Sequence, residues 1–313
     1  MTKLIALGTI TQFIFLMNNF LKKQSFWFVF TPYFWLVLFF FIPLALIFKI
    51  SISISEWGMP PYRDLIEITE EGMKINSTIS NYIFIFSDSF YLRSYINSLS
   101  LAFVSTIICL LVGYPIAFYV AKSKENIRNL LLILLIIPFW TSFLLRVYAW
   151  KVILQGSGIL NTILMKFGFI VEPLSMLHNH YAVILGVVYT YLPFMILPLY
   201  GYLVKFDLNL IDASSDLGAK PYKTFFKVIL PLSLPGIIAG SMLVFIPVVG
   251  EFVIPELLGG SDKLYFGKII WDEFFVNRDW PIASALAMSG ILILVIPIIV
   301  FQLMFAKYNF KNE

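Results

Sequence analysis

Long apolar runs separated by short polar segments make up most of this chain. A run of about 20 apolar residues is long enough to cross the hydrocarbon core of a membrane as a helix. The sequence holds six such runs, at about residues 26–50, 96–121, 129–150, 182–204, 232–257 and 282–305. The sequence lacks the alternating pattern of a membrane barrel. The pattern therefore predicts an all-α polytopic membrane protein with six transmembrane helices.

The composition supports this interpretation. The 313 residues are 60% hydrophobic and 13% charged, whereas soluble domains carry about 25% charged residues. The formal net charge of +4 is too small to indicate a nucleic-acid partner. The single cysteine, Cys109, lies inside an apolar run, so the chain cannot form a disulfide framework of its own.

The pattern divides the chain into three parts. Residues 1–25 are predicted to be an N-terminal cytoplasmic or interfacial segment, 26–306 the membrane domain, and 307–313 a cytoplasmic tail. The apolar stretch from Leu4 to Met17 is too short to span a membrane. It fits a short interfacial helix, an over-long start with Met17 as the true initiator, or a cleaved signal.

Basic residues are concentrated on the side of the termini, which six spans place on the same face of the membrane. That side carries twelve of the 22 basic residues: Lys3, Lys22, Lys23, Lys122, Lys124, Arg128, Lys205, Lys220, Lys223, Lys227, Lys307 and Lys311. It carries five of the 18 acidic residues: Glu125, Asp207, Asp212, Asp216 and Glu313. Because cytoplasmic loops hold an excess of lysine and arginine, both termini and the loop at about 205–231 are predicted to be cytoplasmic.

The loop between the fourth and fifth spans is predicted to form two short helices, Ile211–Leu217 and Pro221–Leu230. Gly218 supplies a bend between them, because glycine takes positive φ at little cost. Pro231 and Pro235 are expected to stop the second helix before the fifth span begins. That helix carries an apolar stripe at helical spacing, formed by Tyr222, Phe225, Phe226 and Ile229. The stripe is typical of a surface that docks a protein partner and equally of a loop whose rings dip into lipid.

The same loop resembles a segment shared by the permease subunits of type I ATP-binding cassette (ABC) importers. That segment reads Glu-Ala-Ala, three residues, Gly, nine residues, then Ile-x-Leu-Pro. Here Asp212–Ala213–Ser214, Gly218 and Val228–Ile229–Leu230–Pro231 stand at those positions. The resemblance implies that the loop forms coupling helices that sit in a cleft of a cytoplasmic ATPase. The residues implied in coupling are Asp212, Ala213, Gly218, Tyr222, Phe225, Phe226, Leu230 and Pro231.

A second resemblance narrows the family. Residues 138–150, 154–161 and 250–260 are similar to the spermidine/putrescine permeases, in particular the first of their two paired permeases. This implies a polyamine permease of the bacterial inner membrane that works by alternating access. The implied partners are an ABC ATPase dimer, a second homologous permease and a periplasmic or extracellular substrate-binding protein. The alternatives are a related permease for iron(III), sulfate or thiamine, a self-sufficient secondary transporter, and a membrane enzyme.

No catalytic chemistry is expected of this chain. The sequence lacks the GxxxxGK[ST] loop that cradles nucleotide phosphates, so ATP and Mg²⁺ are expected on the partner ATPase and no cofactor on this chain. His178 and His180 lie close together in an outer loop, but Glu172 is the only nearby acid, and a metal site needs more ligands. We therefore predict no metal site.

Glu251 is the most informative candidate for the substrate pathway, because it falls within the predicted fifth span. A carboxylate at membrane depth is costly unless it is paired or lines water. Glu251 is therefore expected either to bind substrate amines or to form an ion pair with Arg146. Three aromatic residues, Trp140, Tyr148 and Trp150, could line the pathway or form an interfacial belt. The last candidate for the pathway is an acid nearer the outer face, Glu256.

Overall fold

The computed structural model describes residues 26–69, 72–207, 209–260 and 263–309. The predicted N-terminal segment and the last four residues of the predicted tail lie outside these ranges. The described chain is mainly helical. Its elements are α1 Phe26–Ser51, β1 Ile66–Thr69, β2 Gly72–Ile75, α2 Ser80–Ser87, α3 Ser89–Lys122, α4 Glu125–Ile136, α5 Phe143–Leu154, α6 Ile159–Lys166, α7 His180–Leu203, α8 Asn209–Asp216, α9 Pro221–Thr224, α10 Leu230–Val249, α11 Val253–Leu258, α12 Phe266–Trp271 and α13 Trp280–Asn309.

Helices long and apolar enough to cross a membrane account for most of the predicted spans. Within the described ranges there are four of them, formed by α1, α3, α7 and the continuous helix Pro221–Val249. A fifth is obtained when the bent pair Glu125–Trp140 and Phe143–Lys166 is taken as one span. Helix α13 contains a shorter apolar stretch, Trp280–Val295. The arrangement is consistent with six crossings.

The main core lies where α3, α7 and α10 pack together. Its fully buried side chains include Leu101 and Cys109 of α3, Val187 of α7 and Val244 of α10. These helices approach closely because small residues line their contacts, as is usual where membrane helices pack. At Gly240 in α10, a Cβ atom would lie 2.9 Å from the carbonyl oxygen of Met195 in α7.

A second core joins the start of α3 to α12 and α13. It contains Tyr95, Phe266 and Leu286, and the rings of Tyr95 and Phe266 stack with centroids 4.4 Å apart. The segment before it holds the two-stranded hairpin, in which Ile66 pairs with Ile75 in antiparallel register. Buried Asn81 donates hydrogen bonds to the carbonyls of Ser51 and Ser53, at 3.0 and 2.9 Å. This contact holds α2 against the end of α1.

The third predicted span is not one straight helix. Helix α4 continues through a 3₁₀ turn, Ile137–Trp140, and the chain then bends by 88° before α5 begins at Phe143. Thr141 is extended at the bend, and its hydroxyl donates to the carbonyl of Pro138 at 2.6 Å. Local hydrogen bonds of this kind compete with helix continuation, and run length alone did not reveal them.

The predictions for the fifth span were wrong at both ends. Pro231 and Pro235 do not stop the preceding helix, which runs without interruption from Pro221 to Val249. A π-helical turn, Phe225–Ile229, joins α9 to α10, and the N–H of Leu230 bonds to the carbonyl of Phe225 five residues back. The wider turn lies directly before Pro231, where an α-helical carbonyl would meet the proline ring. At the other end the helix stops at Val249, well before the predicted residue 257.

The second span also begins earlier than predicted, at Ser89 and not at about residue 96. Asp88 caps this helix, because its side chain accepts a hydrogen bond from the N–H of Phe90 at 2.8 Å. An aspartate in this position satisfies one of the backbone donors that a helix start leaves unpaired.

Candidate functional site

A cavity of about 1070 Å³ opens between α5, α7 and α10, next to the break that follows α10. Its walls are mostly apolar and aromatic. Among the described residues that line it, only Arg146 and Glu251 carry a charge. The lining residues are Phe139, Phe143, Arg146, Thr190, Tyr191, Phe194, Ala239, Met242, Leu243, Ile246, Pro247, Gly250, Glu251, Phe252 and Val253.

Glu251 lies in the break between α10 and α11 and not within a helix, as the run length had suggested. Its Oε1 accepts hydrogen bonds from the N–H groups of Val253 and Ile254, at 3.0 and 3.3 Å. The carboxylate therefore satisfies backbone donors that the start of α11 leaves unpaired. Its Oε2 accepts a 2.6 Å hydrogen bond from the hydroxyl of Tyr191 in α7. These three bonds explain how a carboxylate only 8% exposed is accommodated here.

Of the two alternatives for Glu251, the ion pair with Arg146 is not among the ion pairs that the described residues form. Arg146 projects from α5, and its guanidinium lies over the ring of Phe139, with 5.0 Å between Cζ and the ring centroid. Its Nε is buried and has no hydrogen-bond partner within the described part of the chain. The hydroxyl of Tyr191 and the backbone N–H groups of Val253 and Ile254 are the partners of the carboxylate instead.

The three predicted pathway aromatics do not line this cavity. Trp140 is 83% exposed and Tyr148 is also exposed. Trp150 packs edge-on against Tyr189, with ring centroids 5.4 Å apart. The aromatic lining comes from neighbours in sequence and in space: Phe139, Phe143, Tyr191, Phe194 and Phe252. Phe139 and Phe143 lie in the aromatic stretch 138–150, so the sequence did point to that part of the lining. Nothing in the sequence singled out Tyr191.

Glu256, the remaining pathway candidate, forms an ion pair with Lys268 at 2.8 Å and does not line the cavity. Burial raises the pKa of the neighbouring Asp272 carboxyl, Lys268 opposes that rise, and Glu256 adds to it. In the same region Glu273 is buried and accepts a 2.8 Å hydrogen bond from the hydroxyl of Tyr91. Glu256 and Glu273 are therefore committed to contacts between helices.

The two histidines make separate contacts. Nδ1 of His178 lies 3.1 Å from the carbonyl of Gly259, and Nδ1 of His180 lies 2.7 Å from the hydroxyl of Tyr265. Across the residues that the structure describes, no three His, Cys, Asp or Glu side chains cluster in a way that could hold a metal ion.

The predicted coupling loop at about 205–231, called the docking loop below, contains two helical pieces, α8 and the first turns of the continuous helix Pro221–Val249. Gly218 has φ of 78°, which confirms the predicted bend at this residue. Asp212 and Ala213 are exposed on α8. The two helices are tied together by a 2.8 Å hydrogen bond between the hydroxyls of Ser214 and Thr224.

The predicted apolar stripe of this loop does not form one exposed face. Tyr222 and Phe226 are exposed, at 58% and 63%. Phe225 instead packs edge-on against Tyr114 of α3, with ring centroids 5.5 Å apart, and Ile229 is buried. The π-helical turn changes the angular spacing of these side chains, so the α-helical spacing used in the prediction does not apply. The rings of Tyr222 and Phe226 therefore remain exposed, whereas Phe225 and Ile229 anchor the loop to the membrane domain.

Comparison with known proteins gives consistent matches. The model of a family described as the binding-protein-dependent transport system inner membrane component matches residues 113–308. The spermidine/putrescine transport system permease protein PotB of Haemophilus influenzae is 40% identical over 301 residues, covering 95% of this chain and 99% of that protein. PotB of Escherichia coli K12 is 38% identical over 279 residues, covering 89% of this chain and 97% of that protein.

Two solved structures share the fold. One is a chain of a bacterial alginate ABC transporter, solved in complex with an alginate pentasaccharide-bound periplasmic protein. It has a TM-score of 0.66 and 14% identity, and the match covers 92% of this chain and 96% of that one. A chain of the MetNI methionine ABC transporter, in an inward-facing conformation, has a TM-score of 0.52 and 18% identity. The match covers 70% of this chain and 96% of that one. The predicted ABC importer permease fold is confirmed.

Proposed function

Because the chain belongs to the family of binding-protein-dependent transport system inner membrane components, we propose that it is the permease subunit of an ABC importer for polyamines. The observation that carries the choice of substrate is the 40% identity to a spermidine/putrescine permease across 95% of this chain. Polyamines are flexible chains of protonated amines, and the pathway must offer them anionic and aromatic contacts.

The cavity supplies both kinds of contact. A carboxylate can accept about four hydrogen bonds, and the protein occupies two positions on Oε1 of Glu251 but one on Oε2. An ammonium group of the substrate would bond to Oε2 beside the hydroxyl of Tyr191. The faces of Phe194 and Phe252 would stabilise the remaining positive charge by cation–π contact. The carboxylate therefore acts as a binding group in transport.

The docking loop is the proposed site for the ATPase, on the cytoplasmic side together with both termini. Exposed Tyr222 and Phe226 would fill a cleft of the partner, since aromatic side chains commonly dominate protein interfaces. Lys220, Lys223 and Lys227 around them would orient the partner by charge. The excess of basic residues on this side supports the orientation.

The assembly proposed around this chain has four kinds of subunit: this permease, a second homologous permease, an ABC ATPase dimer that holds ATP and Mg²⁺, and a periplasmic binding protein. Closure of the ATPases moves the docking loop, and the continuous helix Pro221–Val249 carries that movement to the cavity. The cavity would open outward to receive substrate and inward after hydrolysis, which is alternating access.

Uptake measurements test this proposal. A strain without its own polyamine importers, expressing this chain with its partner subunits, should accumulate labelled spermidine or putrescine and not sulfate, iron(III) or thiamine. Uptake should require an ATPase partner able to hydrolyse ATP, which a self-sufficient secondary transporter would not need. Glu251→Gln should reduce uptake by on the order of tenfold, because it removes a hydrogen bond to a charged group. Glu256→Gln should retain uptake, because that carboxylate lies outside the cavity. Uptake of sulfate, iron(III) or thiamine in place of polyamines would refute the substrate assignment.

A further inference from the structure

The cavity proposed to carry cations contains a cation of its own. Arg146 lines it, and its buried Nε has no hydrogen-bond partner within the described residues. A charged side chain at membrane depth usually pairs with another polar group and faces the bundle interior or a water-filled cavity, and most buried polar groups are hydrogen-bonded. Arg146 faces the cavity, but its Nε has no hydrogen-bond partner among the described residues, so its charge acts on whatever enters the cavity.

The surroundings of Arg146 leave its charge exposed to the cavity. The carboxylate that could neutralise it, Glu251, is bonded to Tyr191 and to the backbone of α11. The guanidinium lies instead over the face of Phe139, the kind of surface that a substrate ammonium group would use. A resident cation therefore occupies one aromatic face of the cavity while the carboxylate remains open on one side.

We infer that Arg146 is a specificity-determining residue that keeps polyamine binding in the cavity transient. This inference rests on the proposed function. An ammonium group bound at Glu251 gains a partner, but every further positive charge on the same substrate is repelled by the guanidinium. A transport pathway must bind its substrate strongly enough to admit it and weakly enough to release it. Arg146 supplies the second condition, and its effect grows with the number of charges on the substrate.

The test uses the complete permease–ATPase complex in lipid nanodiscs without its binding protein. Equilibrium binding of labelled spermidine and of labelled putrescine is measured for the wild type, Arg146→Gln, Arg146→Met and Arg146→Lys. Removing the charge should tighten spermidine binding by on the order of tenfold, and putrescine binding by less, because putrescine carries one fewer charge. Arg146→Lys keeps the charge and should bind both substrates with nearly wild-type affinity. In cells that express the complete transporter with its binding protein, uptake at saturating substrate should fall in the two neutral variants, since release becomes slower.

Two neutral variants are used because one of them could fail to fold. Arg146→Met keeps an aliphatic side chain beside Phe139 and so retains the packing of the arginine stem. Weaker or unchanged spermidine binding in an assembled neutral variant would overturn the inference, as would an equal effect on both substrates. A residue needed only for packing would lower uptake without tightening binding. If the wild-type complex binds neither polyamine and imports neither with its binding protein present, the proposed function fails and not only the role of Arg146.

Discussion

Gly240→Ala is expected to separate α7 and α10, two of the three helices that form the main core. A Cβ atom at residue 240 would lie 2.9 Å from both the carbonyl oxygen and the sulfur of Met195, and 3.3 Å from its Cα. Non-bonded carbon atoms prefer about 3.5–4.0 Å. The sulfur can move, but the carbonyl belongs to the backbone of α7. Helices α7 and α10 must therefore move apart by several tenths of an ångström.

The cost follows from two opposing effects. Added volume in a packed core destabilises by about 1–3 kcal/mol, while alanine is favoured over glycine in a helix by about 1 kcal/mol. Gly201→Ala isolates the second effect, because a Cβ at residue 201 in α7 meets nothing within 4 Å. Relative to Gly201→Ala, Gly240→Ala should therefore lower the free energy of unfolding by about 1–3 kcal/mol.

The assay is unfolding of the purified protein by increasing mole fraction of SDS in mixed micelles, followed by loss of helical circular dichroism. Gly113→Ala gives a third point, since the three atoms nearest to its Cβ would all belong to side chains: Ile196 and Met195, both at 3.2 Å, and Leu192 at 3.6 Å. Those side chains can adjust, so Gly113→Ala should fall between the other two. Equal stability of Gly240→Ala and Gly201→Ala would refute the close approach of α7 and α10.

The remaining predictions each test one contact that the structure shows and that the sequence alone did not reveal. Phe226→Ala should change the free energy of unfolding by less than about 0.5 kcal/mol but prevent copurification of the ATPase. Phe225→Ala removes a half-buried ring and should lower the free energy of unfolding by about 2 kcal/mol. The reverse result for the two variants would contradict the burial of the two rings. Tyr191→Phe removes a donor from the Glu251 carboxylate and should destabilise by about 1.5–3 kcal/mol in the same SDS titration, and an unchanged midpoint would argue against that bond. Asn81→Leu leaves two buried carbonyls unpaired, so proteolysis of the segment before α2 should accelerate; an unaltered cleavage rate would exclude that clamp.

The membrane-spanning elements were the part most accessible to sequence reasoning. Lipid requires long apolar helices wherever the chain crosses it, so run length alone located α7 and the end of α1 to within a residue or two. The bend of the docking loop was also predictable, because Gly218 takes a backbone conformation that other residues avoid. Both predictions depend on local chemistry and not on the packing of distant segments.

The contacts inside the cavity were not predictable in the same way. Glu251 and Arg146 were recognised as unusual, but the carboxylate pairs with Tyr191, which is one of 16 tyrosines in the chain and has no distinctive neighbours. Which ring reaches the carboxylate is decided by the packing of α7 against α10. The π-helical turn is a similar case, because its wider spacing decides whether Phe225 or Phe226 faces outward.

The continuous helix from Pro221 to Val249 fixes the direction in which the exposed ring of Phe226 points relative to the cavity. Each residue of an α-helix advances the backbone by about 100° and 1.5 Å, so a single inserted alanine in α10 would swing Phe226 to another side of the rod. Seven inserted residues would nearly restore the angle while lengthening the rod by about 10 Å. Phe226 and the cavity therefore keep their relative orientation only if the number of residues between them is fixed. Natural insertions between Leu230 and Val249 should be rarer than insertions in the neighbouring loops.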